Sequence, residues 1–193
     1  MFAGIGSYLV RMLPGAILAA LAFFCLLPIR NQRLHRAGLC SPFHREVFLF
    51  LFFLFCGGMA IITLMPRWFH WLTILNDIRT EVFFQIGTFN LIPFRTFSFD
   101  SWSFMILLGN VIMFFPFGFF AVLLWRNISA KRILLIGVLT SLFIEFTQLF
   151  VGRSFDIDDI LLNTLGVLLG GLFCYLLQRL LPPLTQIFHV QNA

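Results

Sequence analysis

Five stretches of the chain, at about 7–29, 47–65, 103–125, 133–151 and 160–178, are almost pure hydrocarbon, and each is close to the roughly 20 residues an α-helix needs to cross a bilayer. Lipid offers no hydrogen-bond partner to an exposed peptide group, so segments of this kind cross as helices. With 60% hydrophobic residues and 28 Phe in 193 residues, the apolar surface exceeds what a soluble domain of this length can bury. The expectation is an all-α, polytopic transmembrane bundle forming a single membrane domain over 1–193. The first run reads as a retained span, since no small-residue cleavage site follows it and it ends at Pro28, Ile29 and Arg30.

The net charge of +5 does not point to nucleic acid, because the basic residues stand at the ends of the apolar runs. Eight Lys and Arg fall in 30–46, in 126–132 and at Arg179, against five on the opposite side in much longer sequence. The positive-inside rule then puts the N-terminus outside and the C-terminus in the cytoplasm. The connection 66–102 is too polar to span, and its Trp68, Trp71 and many Phe residues suit an interfacial or re-entrant segment on the extracytoplasmic face. The first span is expected to end at Ile29, and Pro66 to close the second. Gly57 and Gly58 can admit a neighbouring helix closely but read first as small residues in a plain helix, and Pro116 reads as a kink.

The polar residues concentrate in 143–171, where Glu145, Gln148, Arg153, Asp156, Asp158, Asp159 and Asn163 interrupt otherwise apolar sequence. An ionisable group at membrane depth costs roughly 2.5 kcal/mol or more unless it is paired or wet, so such a cluster is a functional hypothesis. Glu145 and Gln148 share a helix face. Asp159, Asn163, Gly166 and Gly170 form one stripe, polar at the top and small below, that is expected to pack inward and admit another helix closely. Asp156 and Asp158 suit a helix cap with a solvated turn over 152–159. Arg95 and Arg153 are placed to meet Glu145 and the aspartates. The aspartate spacing matches no defined cation loop, the four His have no ligand spacing, and Cys25, Cys40, Cys56 and Cys174 form no disulfide or metal pattern. No metal is assigned, and composition names no cofactor.

Three motifs in order, NLIPF at 90–94, GNVIMFFPFGF at 109–119 and IEFTQLFVGRSFDIDDILLNTLGVLLG at 144–170, resemble the VanZ-like family of membrane proteins over about 47–178. The resemblance puts the family's characteristic polar and turn positions on Asn90, Pro93, Asn110, Pro116, Gly118, Glu145, Gln148, Arg153, Asp156, Asp159, Asn163 and Gly166. It implies a small multi-span bacterial protein whose namesake lowers susceptibility to the lipoglycopeptide teicoplanin. Two readings stay open. One is a binding protein for an amphiphilic or lipid-linked envelope ligand, using Asn90, Arg95, Asn110, Gln148, Arg153, Asp156 and Asn163 beside membrane lipids. The other is an enzyme on a lipid-linked envelope intermediate, with Glu145 or Asp159 as general acid/base and Arg95 and Arg153 holding an anion. A transporter is the weaker third, since no inverted repeat is visible.

Overall fold

The computed structural model describes residues 2–64, 86–94, 101–125, 128–182, 188 and 191–192. Within them lie helices α1 (Phe2–Arg36), α2 (Phe43–Leu64), α3 (Ser101–Leu124), α4 (Ala130–Leu149) and α5 (Ile157–Leu180). All five are long and apolar enough to cross a membrane. Four two-residue strands punctuate them: β1 (Leu39–Cys40), β2 (Phe89–Asn90), β3 (Phe155–Asp156) and β4 (Gln191–Asn192). β1 pairs antiparallel with β4, and β2 parallel with β3. The expected helical bundle is therefore observed, with small strand pairings that the sequence does not announce.

The bundle is built inside out relative to a soluble protein. On α4, Ile133, Gly137, Ser141, Ile144, Glu145 and Gln148 are buried, while Leu135, Leu139, Phe143 and Phe146 are exposed. Lipid tails are as apolar as leucine, so leucine gains little by leaving them. Close packing and interhelical hydrogen bonds hold such helices together instead. The tightest contact joins α3 to α5, and α5 also lies along α4. Gly118 of α3 rests on the Val167 carbonyl, and Gly166 and Gly170 of α5 rest on the carbonyls of Val111 and Phe115. Phe114, Val122, Ile133, Ile144, Val167 and Cys174 fill the core between these three helices.

Several boundaries differ from expectation for physical reasons. α1 runs through Pro28 to Arg36. Proline removes one backbone donor, a loss membrane helices tolerate, and beyond it Arg30 stacks over Phe23 at 5.4 Å and pairs with Glu46 of α2. Gly57 is no plain helix position either, because it meets the Gly15 backbone where α1 crosses α2. Pro116 sits inside a continuous α3. α5 starts at Ile157, so Asp158 and Asp159 lie in its first turn rather than in a loop, where carboxylates complement the helix dipole. Pro66, Trp68, Trp71 and Arg95 lie outside the described residues, as does most of the long connection whose interfacial or re-entrant character was expected.

The helices alternate in direction, which gives the bundle two chemically distinct ends. At the basic end, Tyr175 donates its hydroxyl to the Ile128 carbonyl and Gln178 Nε2 donates to the Val122 carbonyl at 3.2 Å. At the other, polar end, the C-termini of α2 and α4 meet the N-terminus of α5.

Candidate functional site

The polar end is organised by the way the chain turns from α4 into α5. After Leu149 the amides of Val151 and Arg153 both donate back to the Gln148 carbonyl, at 3.1 and 3.0 Å. Gly152, with φ +75°, allows the reversal that a side chain would strain. The chain then extends through β3. Asp156 becomes the N-cap of α5, its Oδ1 accepting the Asp158 amide at 2.9 Å, as a capping aspartate should.

This turn also pins the segment 86–94. Gly87 donates its amide to the Leu149 carbonyl and Phe155 donates to the Thr88 carbonyl, each at 2.8 Å. Asn90 pairs with Asp156 in register, and its Nδ2 donates to Asp156 Oδ2 at 2.9 Å. The Phe94 amide donates to Asp158 Oδ1 at 2.7 Å, with Phe94 at φ 64°. The Asn90 amide group and the Phe94 amide are thus spent on the aspartates, while Phe89, Leu91, Ile92 and Phe94 are each about 60% or more exposed. Asp158, expected in a solvated turn, is fully buried. Its side chain anchors the loop.

Beneath the turn lies a cavity of about 60 Å³ lined by Thr63, Asn110, Glu145, Gln148, Arg153, Asp159 and Asn163, among others. At about 30 Å³ per water, it has room for two waters or one small polar group. Glu145 is 1% exposed, and its Oε2 accepts the Asp156 amide at 2.9 Å. Asp159 accepts from Asn110 Nδ2. Gln148 Nε2 and Arg153 Nη1 both donate to the Thr63 carbonyl, at 2.8 and 3.1 Å. Asn163 Nδ2 donates to Ser141 Oγ at 3.0 Å, which leaves Asn163 Oδ1 buried with no protein partner among the described residues.

Electrostatically the site is acidic. Asp159 and Asp156 act on Glu145, Asp156 and Asp158 act on Asp159, and Arg153 acts on both Glu145 and Asp159. Among the described residues neither carboxylate makes a salt bridge. No grouping of three or more His, Cys, Asp or Glu able to hold a metal occurs among the described residues. The cavity therefore presents two carboxylates and three amides, with one guanidinium held at its edge by a backbone carbonyl. Such a set can take a hydrogen-bond donor or a cation. It can also move a proton between oxygens.

The structure thus gathers Asn110, Glu145, Gln148, Arg153, Asp159 and Asn163 around one cavity, and puts Asn90 and Asp156 in the bracket above it. Thr63, Ser141 and Gly87 were missed from sequence. Thr63 contributes through its backbone carbonyl, which no residue type signals, and Ser141 is an ordinary small residue on an apolar helix. Gly87 packs its α-carbon on the Arg153 carbonyl, a requirement visible only in three dimensions.

No curated protein and no solved structure matches the chain. The family model VanZ/LLP1 matches residues 48–178, a stretch that contains every residue lining the cavity and both halves of the bracket above it, so the chain belongs to the VanZ/LLP1 family.

Proposed function

We propose that this VanZ-like membrane protein binds an amphiphilic cell-envelope molecule at its polar end and thereby lowers susceptibility to teicoplanin-type lipoglycopeptides. The observation that carries the reading is the segment 89–94. Its Asn90 side chain and Phe94 amide donate to Asp156 and Asp158, its apolar side chains face outward, and an acidic cavity lies directly below. A ligand with an apolar part and a small donor or cationic group matches both surfaces. The cavity holds only the polar anchor, so the apolar part rests on the exposed side chains and surrounding lipid.

This reading sets the polar end on the extracytoplasmic face of a bacterial cytoplasmic membrane, where such ligands are found, with the basic end in the cytoplasm. Ser154 is exposed in the α4–α5 turn, so Ser154→Cys in a background lacking the native cysteines should react with an impermeant maleimide in intact cells. Labelling only after permeabilisation would invert the orientation.

The functional test is teicoplanin and vancomycin susceptibility of a Gram-positive host expressing wild type, Glu145→Gln and Arg153→Ala at matched membrane levels. Selective protection against teicoplanin, lost in both variants, is the expected result. Absence of protection from well-expressed wild type would remove the resistance reading.

A second reading is favoured by one specific feature, the pair of carboxylates sharing a cavity. Under it the protein is an enzyme on a lipid-linked envelope intermediate, with Glu145 and Asp159 exchanging protons with the substrate. Glu145→Gln and Asp159→Asn then abolish turnover while ligand affinity changes little. Parallel loss of affinity in both returns the site to binding.

A further inference from the structure

At the end of the bundle away from the acidic cavity, a groove of about 500 Å³ opens between α2, α3 and α4, lined by Phe52, Phe117, Ala121, Trp125, Leu135 and Arg132, among others. We infer that this groove holds one chain of an anionic glycerophospholipid, with the lipid phosphate on the Arg132 guanidinium. The site is separate from the one assigned above and does not depend on that reading.

Three observations carry it. First, α4 packs mainly on α5 and touches α2 and α3 only lightly, so its other flank leaves a crevice deep enough for an acyl chain. Second, the lining is apolar except at one end. There Trp125 and Arg132 stand together, the pairing expected at headgroup depth, and Phe52 meets the Trp125 ring at 6.0 Å to form the wall. Third, the charge has one sign. The Arg132 side chain has no ion pair or hydrogen bond among the described residues, and Lys131 is exposed beside it.

Any apolar groove in a bilayer will be wetted by lipid, so the specific content is selection of the headgroup. Choline lipids bring their own cation and gain nothing net from Arg132. A phosphatidylglycerol phosphate gains a charge-assisted, bidentate contact. One basic residue near the surface favours an anionic lipid about fivefold.

Trp125 lies in the groove and reports its occupant directly. The test uses the full chain with Trp68, Trp71 and Trp102 changed to Phe, in phosphatidylcholine bilayers carrying a small fraction of lipid brominated on its acyl chain. Brominated phosphatidylglycerol should quench Trp125 about fivefold more effectively per mole than brominated phosphatidylcholine. Arg132→Gln should bring that ratio to about one and Arg132→Lys should keep most of it, because Lys retains the charge but not the fork. Arg132 is exposed, so these variants leave the fold intact. Equal quenching by the two lipids in wild type, or a preference that survives Arg132→Gln, overturns the proposal. Relief of quenching by an unbrominated polyprenyl phosphate, but not by unbrominated phosphatidylglycerol, overturns the choice of occupant.

Discussion

Gly170→Ala should prevent assembly of the bundle, whereas Gly109→Ala, the same substitution on a facing helix, should leave the protein as stable as wild type or about 1 kcal/mol more stable. A methyl group at 170 is built into the carbonyl oxygen of Phe115, backbone against backbone, and nothing flexible can yield. The α3–α5 contact must then open, and with it the most extensive interface in the molecule. Overpacking costs typically about 1–3 kcal/mol where side chains can adjust, so a clash between two main chains should reach the top of that range or exceed it. Gly109 has open space where its methyl would go, and there alanine simply improves helix propensity. Gly118→Ala should resemble Gly170→Ala, since it strikes the Val167 carbonyl from the other side. Monodispersity in detergent and the midpoint of unfolding in SDS measure the contrast. If Gly170→Ala and Gly109→Ala behave alike, the close crossing of α3 and α5 is wrong.

Asp156→Ala should be the most damaging change at the polar end that leaves the bundle assembled. Its carboxylate caps α5 and also accepts from Asn90, while its amide donates to Glu145. Loss of an N-cap costs about 1 kcal/mol, and hydrogen bonds to a charged group contribute roughly 1.5–3 kcal/mol. A loss of about 2.5–4 kcal/mol follows from these two contributions. Asp156→Asn should retain the cap, because Asn caps as well as Asp, and lose only about 1 kcal/mol. A double-mutant cycle of Asp156→Ala with Asn90→Ala isolates the bracket, with an expected coupling of about 1.5–3 kcal/mol. Proteolysis within 86–94 should rise in Asp156→Ala and not in Asp156→Asn. Coupling indistinguishable from zero would mean that segment 86–94 is held by something other than this pair.

The membrane class, the count of spans and the cluster of polar residues were legible because each depends on composition over a window about 20 residues long. Glu145, Gln148, Asp159 and Asn163 stood out for the same reason, being costly in a hydrocarbon setting unless paired. Helix ends were less legible. The first span reads as ending at Ile29, where the apolar run gives way to charge, but the contacts of Arg30 with Glu46 and Phe23 accompany a helix that runs on to Arg36. The start of α5 was placed late because Asp158 and Asp159 look like loop residues, whereas their position after a capping Asp156 makes them first-turn residues.

Composition and spacing alone require a bundle of membrane helices with a basic end and an acidic, amide-bearing end. The reason is transfer free energy, which depends on residue type and length alone. The partners those polar residues take are set by how the helices pack. That packing brought the Thr63 carbonyl under Gln148 and Arg153, paired Asn110 with Asp159 and buried Asp158 beneath Phe94. Each of these contacts joins residues far apart in the chain through a backbone group or a register between helices. Where glycines let two main chains touch, a shift of one turn would exchange every partner, and no local pattern of residue types records that register.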